Sequence, residues 1–334
     1  MHFFVTGHTG FKGSWLILLL RELGHEVSGY SLQAAKGGLF ERAGLESLIK
    51  NHYIDDIRDV ESLKAALNAC RPDFAIHMAA QPLVLRSYQD PVETYTTNVE
   101  GTRNFLEAIT TLGNPPVSLV VTTDKVYRDD GKGSYVESDP LGGHDPYSAS
   151  KAMADILAQS WAATNPRLRL HIARAGNVIG AYDVSEDRLI PDAVRALDSH
   201  STLEIRNPEA VRPWQHVLDC LAGYLAFLEA SLRGATLPVS LNFGPDSSSI
   251  RTVREVLAEA QRVEPRLSFC VAPSAQQNLK ETQLLTLDSS RARSVLDWNN
   301  RVDFESAVAM CLPSNAESPL EVVQSQIRYF IRGS

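Results

Sequence analysis

The chain has 334 residues, 44% of them hydrophobic and 22% charged, and a formal net charge of −8. That composition belongs to a globular protein rather than a disordered one, and the length suits one large α/β domain with an appended lobe, or two domains. The acidic balance argues against a general nucleic-acid surface, so a bound anion must be met by local arginines.

Phe3–Thr6 reads as a first strand that begins too early to leave room for a signal peptide. Gly7, Gly10 and Gly13 follow it in a Gly-x-x-Gly-x-x-Gly pattern, a variant of the usual Gly-x-Gly-x-x-Gly loop. A helix over Phe11–Leu23 continues from there. Such a loop lets backbone N–H groups approach a pyrophosphate, whose charge the helix N-terminus stabilises. By itself the triplet also fits a plain strand-to-helix turn. Lys12, inside the loop, is expected to add a cation beside the phosphates. The apolar run Trp15–Leu20 is far shorter than the roughly 20 residues that cross a bilayer, so no membrane span is expected.

The first half continues as alternating strands and helices. Strands are expected at Glu26–Tyr30, His52–Ile54, Phe74–Met78, Ser118–Thr122 and Arg169–Ala173, and helices at Val60–Ala69, Val92–Leu112 and Pro146–Ala163. This alternation implies βαβ units and a parallel sheet, with ligands at the carboxyl ends of the strands. The expected fold is α/β, a Rossmann-type doubly wound parallel sheet of about seven strands, with a smaller C-terminal substrate lobe. After residue 174 the pattern changes. Helices at Leu189–Leu197, His216–Ser231 and Thr252–Arg262 alternate with short strands at Leu203–Ile205, Ser240–Phe243 and Leu285–Leu287. Residues 1–174 are thus expected to bind a dinucleotide and residues 175–334 a substrate, with some interleaving. Cys70, Cys220, Cys270 and Cys311 are far apart and form no C-x-x-C pair, which suits free thiols in a reducing cytoplasm. No cluster of His, Cys, Asp and Glu recurs at metal-ligand spacing, so no metal is expected.

Tyr147 and Lys151 are four residues apart on a predicted helix and so share a face. An ammonium beside a phenol is expected to favour the phenolate, lowering its pKa from about 10 and making it a base for a sugar hydroxyl. Thr123, Asp124 and Lys125 close the fifth strand, where a doubly wound sheet opens onto its ligand crevice. Thr123 is placed to bond the hydroxyl that Tyr147 deprotonates, and Asp124 and Lys125 form an acid/base pair. The second strand ends Gly29-Tyr30-Ser31-Leu32, without the acidic residue that usually meets the ribose, so these residues leave NAD and NADP open.

The motifs together resemble the extended short-chain dehydrogenase/reductases that act on nucleotide sugars, and among them most of all the CDP-glucose 4,6-dehydratases. The resemblance rests on Gly7-His8-Thr9-Gly10-Phe11-Lys12-Gly13-Ser14-Trp15, Thr123-Asp124-Lys125-Val126-Tyr127, Gly142-Gly143-His144-Asp145-Pro146-Tyr147, Gly176-Asn177-Val178-Ile179-Gly180, Asp187-Arg188-Leu189-Ile190-Pro191 and Arg212-Pro213-Trp214-Gln215-His216-Val217. Arg206-Asn207-Pro208 and Trp298 look similar too. Relatives acting on dTDP-glucose carry Glu where Lys125 stands.

The resemblance implies bound NAD, held by Gly7, Thr9, Gly10, Phe11, Lys12, Gly13, Ser31, Asp56, Ile57, Ala79, Ala80, Asn98, Tyr147 and Lys151. It implies a nucleotide sugar, CDP-glucose, met by Gln81, His144, Arg174, Asn177, Arg188, Leu189, Arg206 and Arg212. It also implies a sequence of three steps. Tyr147, helped by Thr123 and Lys151, takes the C4 hydroxyl proton as a hydride leaves C4. Water then leaves from C5 and C6, with Asp124 protonating the departing hydroxyl, and the hydride returns to C6. Lys125 is open between C5 base and polarising cation. A homodimer paired through the helices near 92–112 and 146–163 is implied as well. The competing readings are an epimerase, reductase or dehydratase for another nucleotide sugar, and a dinucleotide-binding sensor. Asp124 and Lys125 favour dehydration over epimerisation, and a sensor needs no Tyr147.

Overall fold

The computed structural model describes residues 1–272, 285–312 and 318–333. Seven parallel strands form the central sheet: β1 (His2–Thr6), β2 (Glu26–Ser31), β3 (Asn51–Ile54), β4 (Phe74–His77), β5 (Val117–Thr123), β6 (Leu170–Ala175) and β7 (Ser240–Phe243). Their spatial order is β7-β6-β5-β4-β1-β2-β3. The chain starts in the middle, winds outward to β3, crosses back and winds out the other way, so a crevice opens where β1 meets β4.

Alternation within the strands separates two cores. Phe3 and Val5 of β1 and Leu119 and Val121 of β5 face one way, into a cluster with Trp15–Leu20 of α1 (Phe11–Glu22). Phe4 and Val120 face the other way, against Leu63 and Leu67 of α2 (Val60–Cys70), Phe105 of α3 (Gly101–Thr111) and Ala158 of α4 (Pro146–Thr164). The second half adds α5 (Leu189–Asp198), α6 (Val217–Leu232), α7 (Val253–Val263), α8 (Phe304–Cys311) and α9 (Pro319–Arg332). Ile190, Trp214, Val256, Leu257 and Val308 form a third core, that of the smaller lobe.

Two expectations change. The strand at Ser240–Phe243, read as part of the lobe, is the seventh strand of the sheet and pairs with β6 in register Leu241–Ala173. Its sequence has the apolar run of a buried strand but nothing that names its partner. The single helix expected over Val92–Leu112 is three pieces: Pro91–Tyr95, a π-turn over Thr96–Glu100, and α3. The wide turn carries the buried Asn98, and such turns recur at functional sites. The strand expected at Leu285–Leu287 is present as Thr286–Leu287, which pair with Ser134–Tyr135. Among the described residues no helix is long and apolar enough to cross a membrane.

Candidate active site

The glycine loop is built for close backbone approach. Gly7 has φ +74°, and a Cβ there would lie 2.7 Å from the Ala79 nitrogen, so β1 and β4 nearly touch at the crevice. A Cβ on Gly13 would lie 2.3 Å from the Gly7 carbonyl oxygen. No side chain caps the N-terminus of α1 at Gly10, which leaves its N–H groups and dipole available to an anion. Thr9 bonds the Ser31 hydroxyl at 2.8 Å and donates to the Leu32 carbonyl at 2.9 Å, tying the loop to the end of β2. These features fit a dinucleotide: close backbone approach at Gly7, an uncapped helix end and small Ala79 and Ala80 at the β4 tip. Asp56 is bonded by the Arg58 guanidinium, while Ile57 is buried below Gly101.

A feature missed by the sequence reading locks this loop. His8 Nε2 lies 2.8 Å from His52 Nδ1 on β3, and both rings meet Phe40. Burial, aided by His52, pushes His8 down to about 3, so the ring is neutral. A histidine in an otherwise small-residue loop was the available signal.

The catalytic candidates converge at the end of β5. Asp145 caps α4 by accepting from the Ser148 N–H at 2.9 Å, and Pro146 starts the helix with its φ already set. The first turn therefore presents Tyr147, and the next presents Lys151. Thr123 donates to Asp124 at 2.7 Å, and its hydroxyl is near enough to Tyr147 to pull the phenol pKa down. Asp124 is 4% exposed, and its Oδ2 lies 3.2 Å from where a Gly176 Cβ would stand, with Pro213 Cγ 3.6 Å from the same point. The carboxylate thus faces the segment that carries Asn177 and Arg212. Lys125 is half-buried beside it. Lys151 is buried and donates to the Val121 carbonyl at 2.9 Å.

The expected lowering of the phenol pKa is not what the unliganded arrangement gives. Burial pushes Tyr147 up to about 12, against the pull of the Thr123 hydrogen bond and the Arg188 charge, while the Asp124 charge pushes the same way as burial. Lys151 is not among these influences. It is itself pushed down to about 8 by burial, then by the charge of Lys12, with Asp155 opposing.

Several residues expected at the ligands have partners within the protein. Lys12 leaves the phosphate loop and donates to Tyr224 Oη at 3.2 Å and Cys220 Sγ at 3.8 Å, both on α6. Arg174 is 1% exposed and consumed: Nε and Nη2 bond Asp155, and Nη1 bonds Tyr127 Oη and the Glu137 carbonyl. Those bonds make it part of the frame that ties β6 to α4. Gln81 is also committed internally, its amide to Leu83 and Thr94 and its oxygen to the Leu83 N–H. Asn98 is saturated by the Gln81 backbone and the Ser150 hydroxyl, so it clamps the β4 loop to α4 rather than presenting a free amide. His144 and Arg206 are exposed. Arg188 and Leu189 stand at the start of α5, Arg188 near enough for its charge to act on Tyr147. Arg212 directs one donor to the Val211 carbonyl at 2.9 Å. Asp155, missed in sequence, lies one turn beyond Lys151 on the same face and accepts from Thr122 and Arg174.

The model of the family described as GDP-mannose 4,6 dehydratase matches residues 4–311. A protein of Salmonella typhimurium strain LT2 named CDP-glucose 4,6-dehydratase is 40% identical over 309 residues, spanning 89% of this chain and 86% of that protein. Among solved structures, UDP-glucose 4-epimerase from Brucella ovis in complex with NAD superposes with TM-score 0.80 at 20% identity over 93% of this chain and 97% of that one. dTDP-glucose 4,6-dehydratase from Bacillus anthracis in complex with NAD gives 0.74 at 20% identity over 100% of both. Sheet order, glycine crevice and converging side chains agree with these matches, and the chain belongs to the GDP-mannose 4,6 dehydratase family of extended short-chain dehydrogenase/reductases.

Proposed function

We propose that this protein is an NAD-dependent hydro-lyase that converts CDP-glucose to CDP-4-keto-6-deoxyglucose. The observation that carries the reading is the buried cluster of Tyr147, Thr123 and Asp124 at the end of β5, a phenol, a hydroxyl and a carboxyl group side by side, with Thr123 bonded to Asp124. The relative at 40% identity, named CDP-glucose 4,6-dehydratase, supports the choice of sugar nucleotide.

Gly7, Gly10 and Gly13 with the open end of α1 would hold the pyrophosphate, and Ser31 with Thr9 would meet the adenosine ribose. When bound, NAD would supply the acceptor for a hydride from C4 and, once reduced, the donor for its return to C6. Tyr147 takes the C4 hydroxyl proton, oriented by Thr123. Ketone formation at C4 acidifies the C5 proton. Asp124 gives its proton to the C6 oxygen, so that water leaves rather than hydroxide. Lys125 is the candidate group for C5, as base or as polarising cation. Asn177, Arg188, Arg206 and Arg212 are the candidate partners of the diphosphate.

Mass spectrometry after incubation with CDP-glucose, dTDP-glucose, UDP-glucose and GDP-mannose, each separately with added NAD, tests the reading. Loss of one water from CDP-glucose alone is expected. Loss of water from another substrate instead would overturn the cytidine assignment, and no loss from any would overturn dehydration.

A homodimer is part of this proposal. Val92, 70% exposed, and Met153 and Ile156, 49% and 52% exposed, place apolar side chains on two helices that pack together. Light scattering should give about twice the 36.7 kDa of one chain; a mass near one chain would remove the dimer. The four cysteines are free, which supports a cytoplasmic setting.

A further inference from the structure

His77 is a buried histidine that the proposed reaction does not use. It ends β4 and stacks on Phe105 of α3, with ring centres 4.9 Å apart. Both of its ring nitrogens are bonded. Nδ1 lies 2.8 Å from the Thr6 hydroxyl oxygen at the end of β1, and Nε2 lies 3.1 Å from the Thr102 hydroxyl oxygen on α3. Thr6 and Thr102 are buried too.

The neighbours decide where the protons sit. The Thr102 hydroxyl donates its only proton to the Asn98 carbonyl at 2.7 Å, so towards His77 it can only accept. Nε2 must therefore carry a ring proton. Burial, aided by the Lys151 charge, pushes the ring down to about 3, so there is no second ring proton and Nδ1 accepts from the Thr6 hydroxyl. Thr6 Oγ1 in turn accepts from the backbone N–H groups of Met78 and Ala79, each at 3.2 Å. Every bond in the series has one direction, from the β4 tip through Thr6, His77 and Thr102 to Asn98.

Two clamps on the β4 tip meet at this ring. Thr6 holds the tip at Met78 and Ala79, beside Gly7, where the backbones nearly touch. Asn98 holds it two residues further on, accepting from the Gln81 N–H at 2.8 Å and donating to the Gln81 carbonyl at 3.1 Å. The same amide donates to the Ser150 hydroxyl, which donates to the Tyr147 carbonyl at 2.7 Å. The buried network therefore runs without a break from the glycine crevice to the first turn of α4.

We propose that His77 is a positioning residue for the cofactor crevice: as the Nε2–H tautomer it ties the Thr6 clamp to the wide turn that carries Asn98, and so fixes the Ala79–Gln81 backbone on the crevice floor. The inference rests on NAD occupying that crevice and not on the reaction that follows. The hydrogen bonds themselves exist without cofactor or substrate.

The first test reads the ring protons by 1H–15N NMR of the apo protein labelled at histidine. His77→Phe assigns the signal, because Phe keeps a ring on Phe105 and removes both nitrogens. At neutral pH His77 should carry one proton, on Nε2. A proton on Nδ1 alone, or on both nitrogens, overturns the proposal. The second test is NAD affinity by calorimetry. His77→Phe and Thr102→Val should each weaken NAD binding about tenfold, because a buried hydroxyl that has lost its partner no longer holds the tip in one place. Thr102→Ser, which keeps the hydroxyl, should bring the affinity back to within a few-fold of the original. Affinities unchanged in both His77→Phe and Thr102→Val overturn the proposal. If His77→Phe does not fold, Thr102→Val serves for assignment and affinity alike, since it removes the acceptor of Nε2–H, and an unchanged affinity there overturns the proposal equally. Neither test uses a sugar nucleotide, so failure of the dehydratase reading would leave both results intact.

Discussion

Tyr147 is a buried phenol pushed up to about 12, beside the Thr123 hydroxyl that in turn bonds Asp124. A base so placed works only when cofactor and substrate change its surroundings, so removing its oxygen should remove proton transfer and little else. Tyr147→Phe is expected to lower turnover by about 10²–10⁴-fold while NAD affinity, measured by calorimetry, stays within a few-fold. Near-normal turnover would sink the proposed base. Asp124 acts later in the sequence. Asp124→Asn keeps the size of the side chain and its hydrogen bond to Thr123 but has no acid proton. It should oxidise C4 and then stall, so absorbance of reduced nicotinamide should build up on mixing with CDP-glucose. An unchanged rate with no such signal would take Asp124 out of the mechanism.

The elements that hold these residues differ in how far the sequence reveals them. The glycine loop and α4 were legible because their signals are local: Gly7 precedes a helix start, and Asp145-Pro146 caps and opens the helix that spaces Tyr147 and Lys151. Contacts that cross between elements were not. Arg174 ends a strand with the apolar run of a core element, and nothing beside it in sequence shows that Asp155, 19 residues earlier, takes its charge. Lys12 read as a phosphate ligand because its partners lie more than 200 residues away. The π-turn at Thr96–Glu100 escaped notice because a wide turn changes the helical period only locally. At this scale the prediction concerns the frame. Arg174 and Asp155 join β6 to α4 in a fully buried ion pair, and removing one partner of such a pair costs on the order of 3–5 kcal/mol. Arg174→Met should therefore lower the urea midpoint strongly, and a midpoint equal to the original would show that the pair carries no stability.

Across the whole molecule, four buried histidines set the response to acid. His8, His77 and His216 are pushed down to about 3 and His171 to about 4, each chiefly by burial. Their folded-state values lie below the unfolded 6.5, so the unfolded chain binds protons that the fold refuses. The resulting stability is present above pH 6.5 and is lost as pH falls, by about 2 kcal/mol per histidine at pH 5. Asp219 opposes them. Burial raises its carboxyl to about 7, although the Arg301 and Val302 N–H groups bond it, so its contribution is lost as pH rises from about 4 to about 7. Acidification from pH 7.5 to pH 5 therefore regains about 2–3 kcal/mol at Asp219. Four histidines outweigh one aspartate, and the net loss is a large share of a typical total of about 5–15 kcal/mol. The urea midpoint should fall clearly between pH 7.5 and pH 5, and Asp219→Asn should make the fall steeper. A midpoint that holds or rises on acidification would mean that these rings accept protons within the fold, and that the buried cores above and below the sheet are wetter than their packing implies.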